Sequence, residues 1–347
     1  MTAVRSGRPG LDRLGFYTLA GAPTSPRELI DECRDGEAMG LGWVFISERF
    51  NIKEAATLSG AVGAITDRLQ IATAATNHFT RHPMVTASYA TTMHRLTGGR
   101  FTLGLGRGIG PLTGALGYPP VTTAQLEDFA SLMRRLWRGE MILGHDGPAG
   151  KFAFLRLDPT FDESIPLGIT AFGPNTLSLA GRAFDQVVLH TFFTDETVLR
   201  CVKTVKRAAE QAGRDPASVQ VWSCFATIGD HLPHDLQLKK TVGRLGTYLQ
   251  GYGDLMVSTN RWDPAVLARF RADETVMGIG GAIDQIATTD QLEHIATLIP
   301  AEWLAPAGYG SPEQCAAAVE HQFDLGVDGV ILHGAAPADL APIVDVW

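Results

Sequence analysis

SPEQCAAAVEHQFDLGVDGVILH, residues 311–333, opens as a helix and closes as a strand. Serine followed by proline, with Gln314 three places on, is a capping box with proline at the first helical position, where no amide hydrogen is needed. Fifteen residues after the serine stands Gly326, and glycine readily takes the left-handed conformation that stops a helix. The run GVILH then reads as a β-strand. Near the other end, residues 25–47 read SPRELIDECRDGEAMGLGWVFIS, with Glu28 in the box position, the same fifteen-residue interval to Gly40, and the β-forming run WVFIS. Two helix-then-strand units of equal length at opposite ends point to a tandem βα architecture.

The intervening sequence supplies the missing units. LGFYTLA (14–20), LQIATAA (69–75), RFTLGLG (100–106), PLGITA (166–171), QVVLHT (186–191) and VQVWSCFATI (219–228) join the two runs above to make eight strands. Leu58, Val62 and Ile65 mark a helix before the third strand. Val85, Tyr89, Met93 and Leu96 mark another, stopped by Gly98-Gly99. Thr122 and Gln125 form a capping box ahead of Leu126, Phe129, Met133 and Trp137, and a helix is predicted over 195–213. Near-continuous apolar strands alternating with amphipathic helices predict one domain, 1–347, folded as a (β/α)8 TIM barrel. Two insertions interrupt it: a hairpin near 139–165 turning across Asp146-Gly147, and a polar helical insertion near 230–310 with helices around 235–250, 264–276 and 283–298.

Composition limits the partners. The chain has 347 residues, 45% of them hydrophobic and 19% charged, enough to bury a large core. A net charge of −8 argues against a nucleic-acid partner, so an acidic ligand would need a local basic patch. Cys33, Cys201, Cys224 and Cys315 lie far apart with no metal-like spacing, so no metal is expected and the thiols read as buried and free. MTAVRSGRPG has no apolar core and no run reaches membrane length, so a soluble cytoplasmic protein is expected. The apolar helix over 83–96 is the surface on which a homodimer would form.

In a barrel of this kind the site lies at the C-terminal strand ends. Those ends carry Glu48 and Arg49; Thr76, Asn77 and His78; Arg107 and Gly108; Phe172, Gly173, Pro174 and Asn175; His190; and His333. The glycines of RFTLGLGRGIG (100–110) miss the dinucleotide fingerprint in both registers. At the end of a fourth barrel strand they read instead as an anion seat, with backbone amides approaching the ligand and Arg107 pairing with it.

LQIATAATNHFTRHPMVTA, then RFTLGLGRG, then ITAFGPNTLSLAGRAFDQVVLHTF resemble, in that order, the luciferase-like monooxygenase superfamily, and most of all its branch that uses the deazaflavin F420. The resemblance implies a (β/α)8 barrel and a cis peptide bond without proline at the end of the third strand, against which the deazaflavin ring lies; the matching bond is Ala74–Ala75. It implies that AFGPN is a phosphate loop, with Phe172, Gly173, Pro174, Asn175 and Thr176 opposite Arg107 and Gly108. Thr76 and Asn77 fall beside the ring, as does His190, with His333 a further strand-end histidine nearby. TNHFTRHP (76–83) is similar to the reductases acting on methylene-tetrahydromethanopterin. Relatives commonly carry Asp-His where this chain has Glu48-Arg49, and an arginine is a poor proton shuttle. The sugar-phosphate branch has a tryptophan and a glutamate where this chain has FNIKEA and Ile109, so that branch is not expected.

His78 is the first acid/base candidate, able to titrate near neutrality at the end of the third strand. Glu48 and Arg49 read as either catalytic groups or a salt bridge shaping the pocket, and Arg81-His82-Pro83 as a structural anchor. The implied activity is hydride exchange between C5 of F420 and a small organic substrate. FMN with O2, in a monooxygenase, is an alternative the residues leave open, as is a cofactor-binding protein without turnover.

Overall fold

A computed structural model describes residues 8–347 except residues 22, 51 and 109. Most of the N-terminal stretch read above, and Ile109, therefore lie outside the described residues. The strands are β1 (Leu14–Tyr17), β2 (Trp43–Ile46), β3 (Gln70–Thr73), β4 (Phe101–Leu105), β5 (Ile142–Gly147), β6 (Gly150–Leu155), β7 (Leu167–Thr170), β8 (Gln186–Val188), β9 (Gln220–Gly229), β10 (Gly308–Gly310) and β11 (Gly329–His333). Eight of them, β1–β4, β7–β9 and β11, pair in parallel as a closed cylinder, which β11 completes by pairing with both β9 and β1. All eight predicted strands are therefore present and in barrel order.

The alternation of side chains along each strand fills the two sides of the cylinder. Phe45, Ala72, Ala74, Val188, Trp222, Cys224 and Ile331 pack together inside it. Their neighbours Val44, Ile46, Ile71, Val187, Val221 and Val330 join the larger core under the helices. Each large side chain so buried contributes about 1.5–3 kcal/mol. All four cysteines are buried and free. Among the described residues no helix is long and apolar enough to cross a membrane.

The helices follow their signals, with instructive exceptions. Ser311 and Gln314 form the reciprocal capping box of Pro312–Asp324, and Thr122 and Gln125 that of Thr123–Trp137. The matching box at Ser25 is only half made. Glu28 accepts from the Ser25 amide at 3.0 Å, but the Ser25 hydroxyl turns to the Arg27 amide at 3.2 Å, and the helix starts at Glu28. In Pro83–Thr97 the buried stripe is Thr86, Ala87, Ala90 and Met93, whereas Val85 and Leu96 are each 55% exposed.

Both insertions are present. The hairpin pairs β5 with β6, but Asp146 and Gly147 belong to the ladder, opposite Lys151 and Gly150, and the turn lies beyond them at 148–149. The later insertion is not simply polar. Its helices enclose their own apolar cluster, including Leu245, Leu249, Met256, Phe270, Ile283 and Leu292, with Trp262 stacked on Trp303 at 4.4 Å. The helix expected to stop near 250 runs as Arg244–Asn260 and bends at Tyr252, where φ is −155° and ψ 38°. A strand that was not foreseen, β10, pairs in parallel with the last three residues of β9.

Candidate active site

The C-terminal rim is built first by β3 and β4. The Ala74–Ala75 peptide bond is cis, as the resemblance implied. Thr76 then lies against β4, its amide donating to the Gly104 carbonyl at 3.0 Å and its carbonyl accepting from the Gly106 amide at 2.9 Å. The Thr73 hydroxyl bonds both the Gly104 amide and carbonyl at 2.8 Å. A Cβ at Gly104 would lie 1.8 Å from the Thr73 carbonyl oxygen, and one at Gly106 2.8 Å from the Ala75 Cβ. Glycine is needed there so that the two backbones can meet. The reading of these amides as an anion seat is thereby corrected, since both already donate within the barrel.

Glu48 and Arg49 do not form a salt bridge with each other. The Glu48 side chain is fully buried and pairs with Arg81. It also accepts from the Thr76 hydroxyl at 2.6 Å and from Asn77 Nδ2 at 3.3 Å. Arg81 reaches Glu54 as well, and the His82 ring caps the helix that starts at Pro83. The Arg81-His82-Pro83 anchor is thus real, and Glu48 is the carboxylate it holds. Glu48 fixes Thr76 and Asn77 through these bonds. Arg49 instead donates to the Gly21 carbonyl at 2.5 Å. Burial and neighbouring Arg244 lower its pKa.

Arg107 comes to Thr176, as expected of the phosphate side, at 3.2 Å. Its two terminal nitrogens, however, donate to the Val121 carbonyl and the Thr123 hydroxyl, each at 2.5 Å. Arg107 therefore ties the β4 end to two helix starts. The helix Pro174–Ala183 begins with Gly173 at its N-cap and no side-chain cap, and Pro174 and Asn175 are exposed. Its open first turn, at the positive end of the helix dipole, suits an anionic group. Gly108 has φ +73° and lies near Asn77 and Thr113. Phe172 faces away from this side, packing on His190 at 4.6 Å and Phe193 at 5.1 Å.

His78 is buried, with Nδ1 unpartnered, and packs against Phe79 and Phe129. Burial, with Arg107 nearby, pushes its pKa down to about 4. It is a neutral ring at neutral pH, contrary to the expectation that it titrates there. The polar wall of the rim lies elsewhere, at β8, β11 and the inserted helix. His190 Nδ1 lies 3.0 Å from the Thr191 carbonyl and Nε2 2.9 Å from the Tyr252 hydroxyl. A carbonyl only accepts, so Nδ1 carries the proton and Tyr252 donates to Nε2. Burial holds His190 at about 4. His333 Nε2 meets the Tyr248 hydroxyl at 3.2 Å, and burial, with Arg244 next in effect, holds this ring well below its ordinary value. Tyr17 lies edge-on to His333 at 5.4 Å and donates to the Ala74 carbonyl at 3.0 Å. Tyr17, Lys53, Arg244, Tyr248 and Tyr252 were not singled out from sequence. The spacing of Tyr248 and Tyr252, four apart on a helix, was the one available signal.

A closed parallel barrel with this rim defines a class, and the sequence agrees: residues 13–329 match the luciferase-like monooxygenase family, to which the chain belongs as an oxidoreductase. It is 26% identical over 302 residues to the 5,10-methylenetetrahydromethanopterin reductase of Methanolobus tindarius, covering 85% of this chain and 86% of that protein. Its fold is similar to that of the coenzyme F420-dependent tetrahydromethanopterin reductase of Methanopyrus kandleri, with TM-score 0.79, 17% identity, and 96% of this chain and 97% of that one covered. An F420-dependent secondary alcohol dehydrogenase, in complex with an F420-acetone adduct, superposes with TM-score 0.70 and 17% identity over 96% of this chain and 98% of that one.

Proposed function

We propose that this protein is an F420-dependent oxidoreductase that moves a hydride between the cofactor and a small organic substrate. The observation that carries the proposal is the division of the rim into two unlike halves. On one side is the uncapped, exposed helix start at Gly173 and Pro174, beside Thr176 and Arg107. On the other is a wall of neutral hydrogen-bonding groups, His190 with Tyr252 and His333 with Tyr248. Such a rim suits a cofactor held by its phosphate at one end and kept from water at the other. The relatives named above support F420 as that cofactor.

When bound, F420 supplies or accepts the hydride at its C5. The chain's own groups hold and orient. Gly173, Pro174, Asn175 and Thr176 would receive the phosphate on the helix dipole, and Ala74, Ala75, Thr76 and Asn77 form the floor. Tyr17 keeps its proton on the Ala74 carbonyl and fastens the floor to the first strand. Tyr252 keeps its proton on His190 Nε2, so the phenol oxygen faces its surroundings as an acceptor. The insertion covers this wall through Tyr248 and Tyr252 and excludes water.

The test is turnover. Protein, F420 reduced with deuterium at C5, and a panel of ketones, imines and enones are mixed without oxygen, and the oxidised-cofactor absorbance is followed. The expected result is oxidation of the cofactor with deuterium in the product. Oxidation that requires O2 and leaves deuterium out of the organic product overturns the proposal.

A further inference from the structure

At the mouth of the barrel, beside the histidine–tyrosine wall, three cations converge on the backbone that follows β1. Arg49 donates to the Gly21 carbonyl at 2.5 Å. Arg244, on the inserted helix, brings its NH2 to the same residue, 3.7 Å from where a Gly21 Cβ would stand. Lys53 is buried and donates to the Thr18 and Leu19 carbonyls at 3.1 and 2.8 Å. Two carboxylates oppose them. Asp284 pairs with Arg244 at 2.8 Å, and Glu32 bonds the Thr18 hydroxyl and the Leu19 amide. Beside them Lys240 pairs with Asp339 at 3.5 Å, so among the described residues no carboxylate is left over to pair with Arg49.

Such a cluster is badly arranged for stability alone. Among the described residues Arg49 has no carboxylate partner, and its only side-chain bond is to a backbone carbonyl. Arg244 Nε is buried without any partner. Burial, with Arg244 beside it, lowers the pKa of Arg49, and burial together with both guanidinium groups pushes Lys53 down to about 8. Like charges held together under a lid, with donors unmet, are relieved by an anion placed between them. Planar guanidinium groups bind carboxylates in matched pairs, which suits two arginines brought to one backbone segment.

We propose that Arg49 and Arg244, backed by Lys53, receive the carboxylate of an acidic organic substrate and that this chain acts on a small organic acid. Arg49 stands on the barrel and Arg244 on the insertion, so the bound acid would also join the lid to the rim. The proposal rests on the F420 reading only for what happens to the acid; the binding itself stands apart from it. Arg244 also lies near His333 and Tyr248, within 6.0 Å of the Tyr248 ring centre, which sets the acid beside the neutral wall.

The experiment is isothermal titration of the full chain with 2-oxopentanoate and with 2-pentanone, an acid and a neutral ketone of the same carbon count, at low ionic strength. Tighter binding of the acid by at least tenfold is expected, with the preference shrinking as salt is added. Arg49→Gln should bring the ratio to within about twofold of unity. Asp284→Asn, which leaves Arg244 unpaired, should strengthen acid binding, and thermal unfolding of each variant confirms folding. Equal binding of acid and ketone, or a preference unchanged by Arg49→Gln, overturns the proposal. F420 titrated on the same variants separates the two readings. Loss of F420 affinity in Arg49→Gln with the acid preference intact assigns these arginines to the cofactor and also overturns it. Acid preference in a wild-type protein that does not bind F420 supports this inference while ending the F420 reading.

Discussion

Arg81→Ala removes the cation that neutralises a carboxylate with no exposed side-chain surface, and its cost can be worked from the contacts. Glu48 is wholly buried and Arg81 is 16% exposed. Breaking such a pair from one side costs about 3–5 kcal/mol, because the remaining charge stays buried. The Thr76 hydroxyl at 2.6 Å and Asn77 Nδ2 at 3.3 Å would still solvate Glu48, which favours the lower end, about 3 kcal/mol. The lost pair with Glu54, whose side chain is 44% exposed, adds less than about 1 kcal/mol. With unfolding entropy near 2.1 cal/mol/K per residue, a 347-residue chain should lose about 4 °C in Tm for 3 kcal/mol. Urea and thermal unfolding of Arg81→Ala, Glu48→Gln and the double variant measure this. The double variant should be more stable than Arg81→Ala, with a coupling energy of about 2 kcal/mol. A loss under about 0.5 kcal/mol in Arg81→Ala, with additive effects in the cycle, would refute the assignment of Glu48 as a structural carboxylate held by Arg81.

Gly104→Ala should fail to fold or lose more than about 4 kcal/mol, because its Cβ would lie 1.8 Å from the Thr73 carbonyl oxygen; near-native circular dichroism and Tm would contradict this. Burial holds His78 and His190 at about 4, below an unfolded value near 6.5. The unfolded chain therefore binds protons first, so stability is full above about pH 6.5 and falls between there and about pH 4, by up to about 3 kcal/mol for each ring. Urea midpoints across that range should show the fall, and His190→Gln should make it shallower. Arg107→Ala loses bonds to Thr176, Val121 and Thr123 and should cost about 2 kcal/mol while weakening F420 binding; wild-type Tm and affinity in a fluorescence titration would contradict both.

The barrel was legible because its signals are local. The Ser-Pro openings, the glycine stops and the apolar runs each act within a turn or a strand, and they appear where the chemistry predicts. The half-made box at Ser25 shows the limit, since whether a serine hydroxyl bonds two or three residues on depends on how the chain enters the helix. Gly104 and Gly106 show another. A glycine that frees an amide for a ligand and one that lets two backbones touch look the same in sequence, and only the pairing of β3 with β4 separates them. The supposed Glu48–Arg49 bridge fails for a reason available beforehand, since neighbours on extended chain point to opposite sides. The wall of Tyr248 and Tyr252, and Arg244 with it, depends on how a long insertion folds over the rim, which is tertiary information. His78 lies five residues past the end of β3, and its neutrality follows from burial, Phe129 included, and from Arg107, neither of the two near it in sequence.

The central claim, that this rim holds a deazaflavin, is tested most directly by equilibrium titration of the full chain with F420 and, separately, with FMN, followed by fluorescence. The account predicts saturable one-to-one binding of F420, weakened by Arg107→Ala, and no comparable binding of FMN. Tight binding of FMN with none of F420 would contradict it.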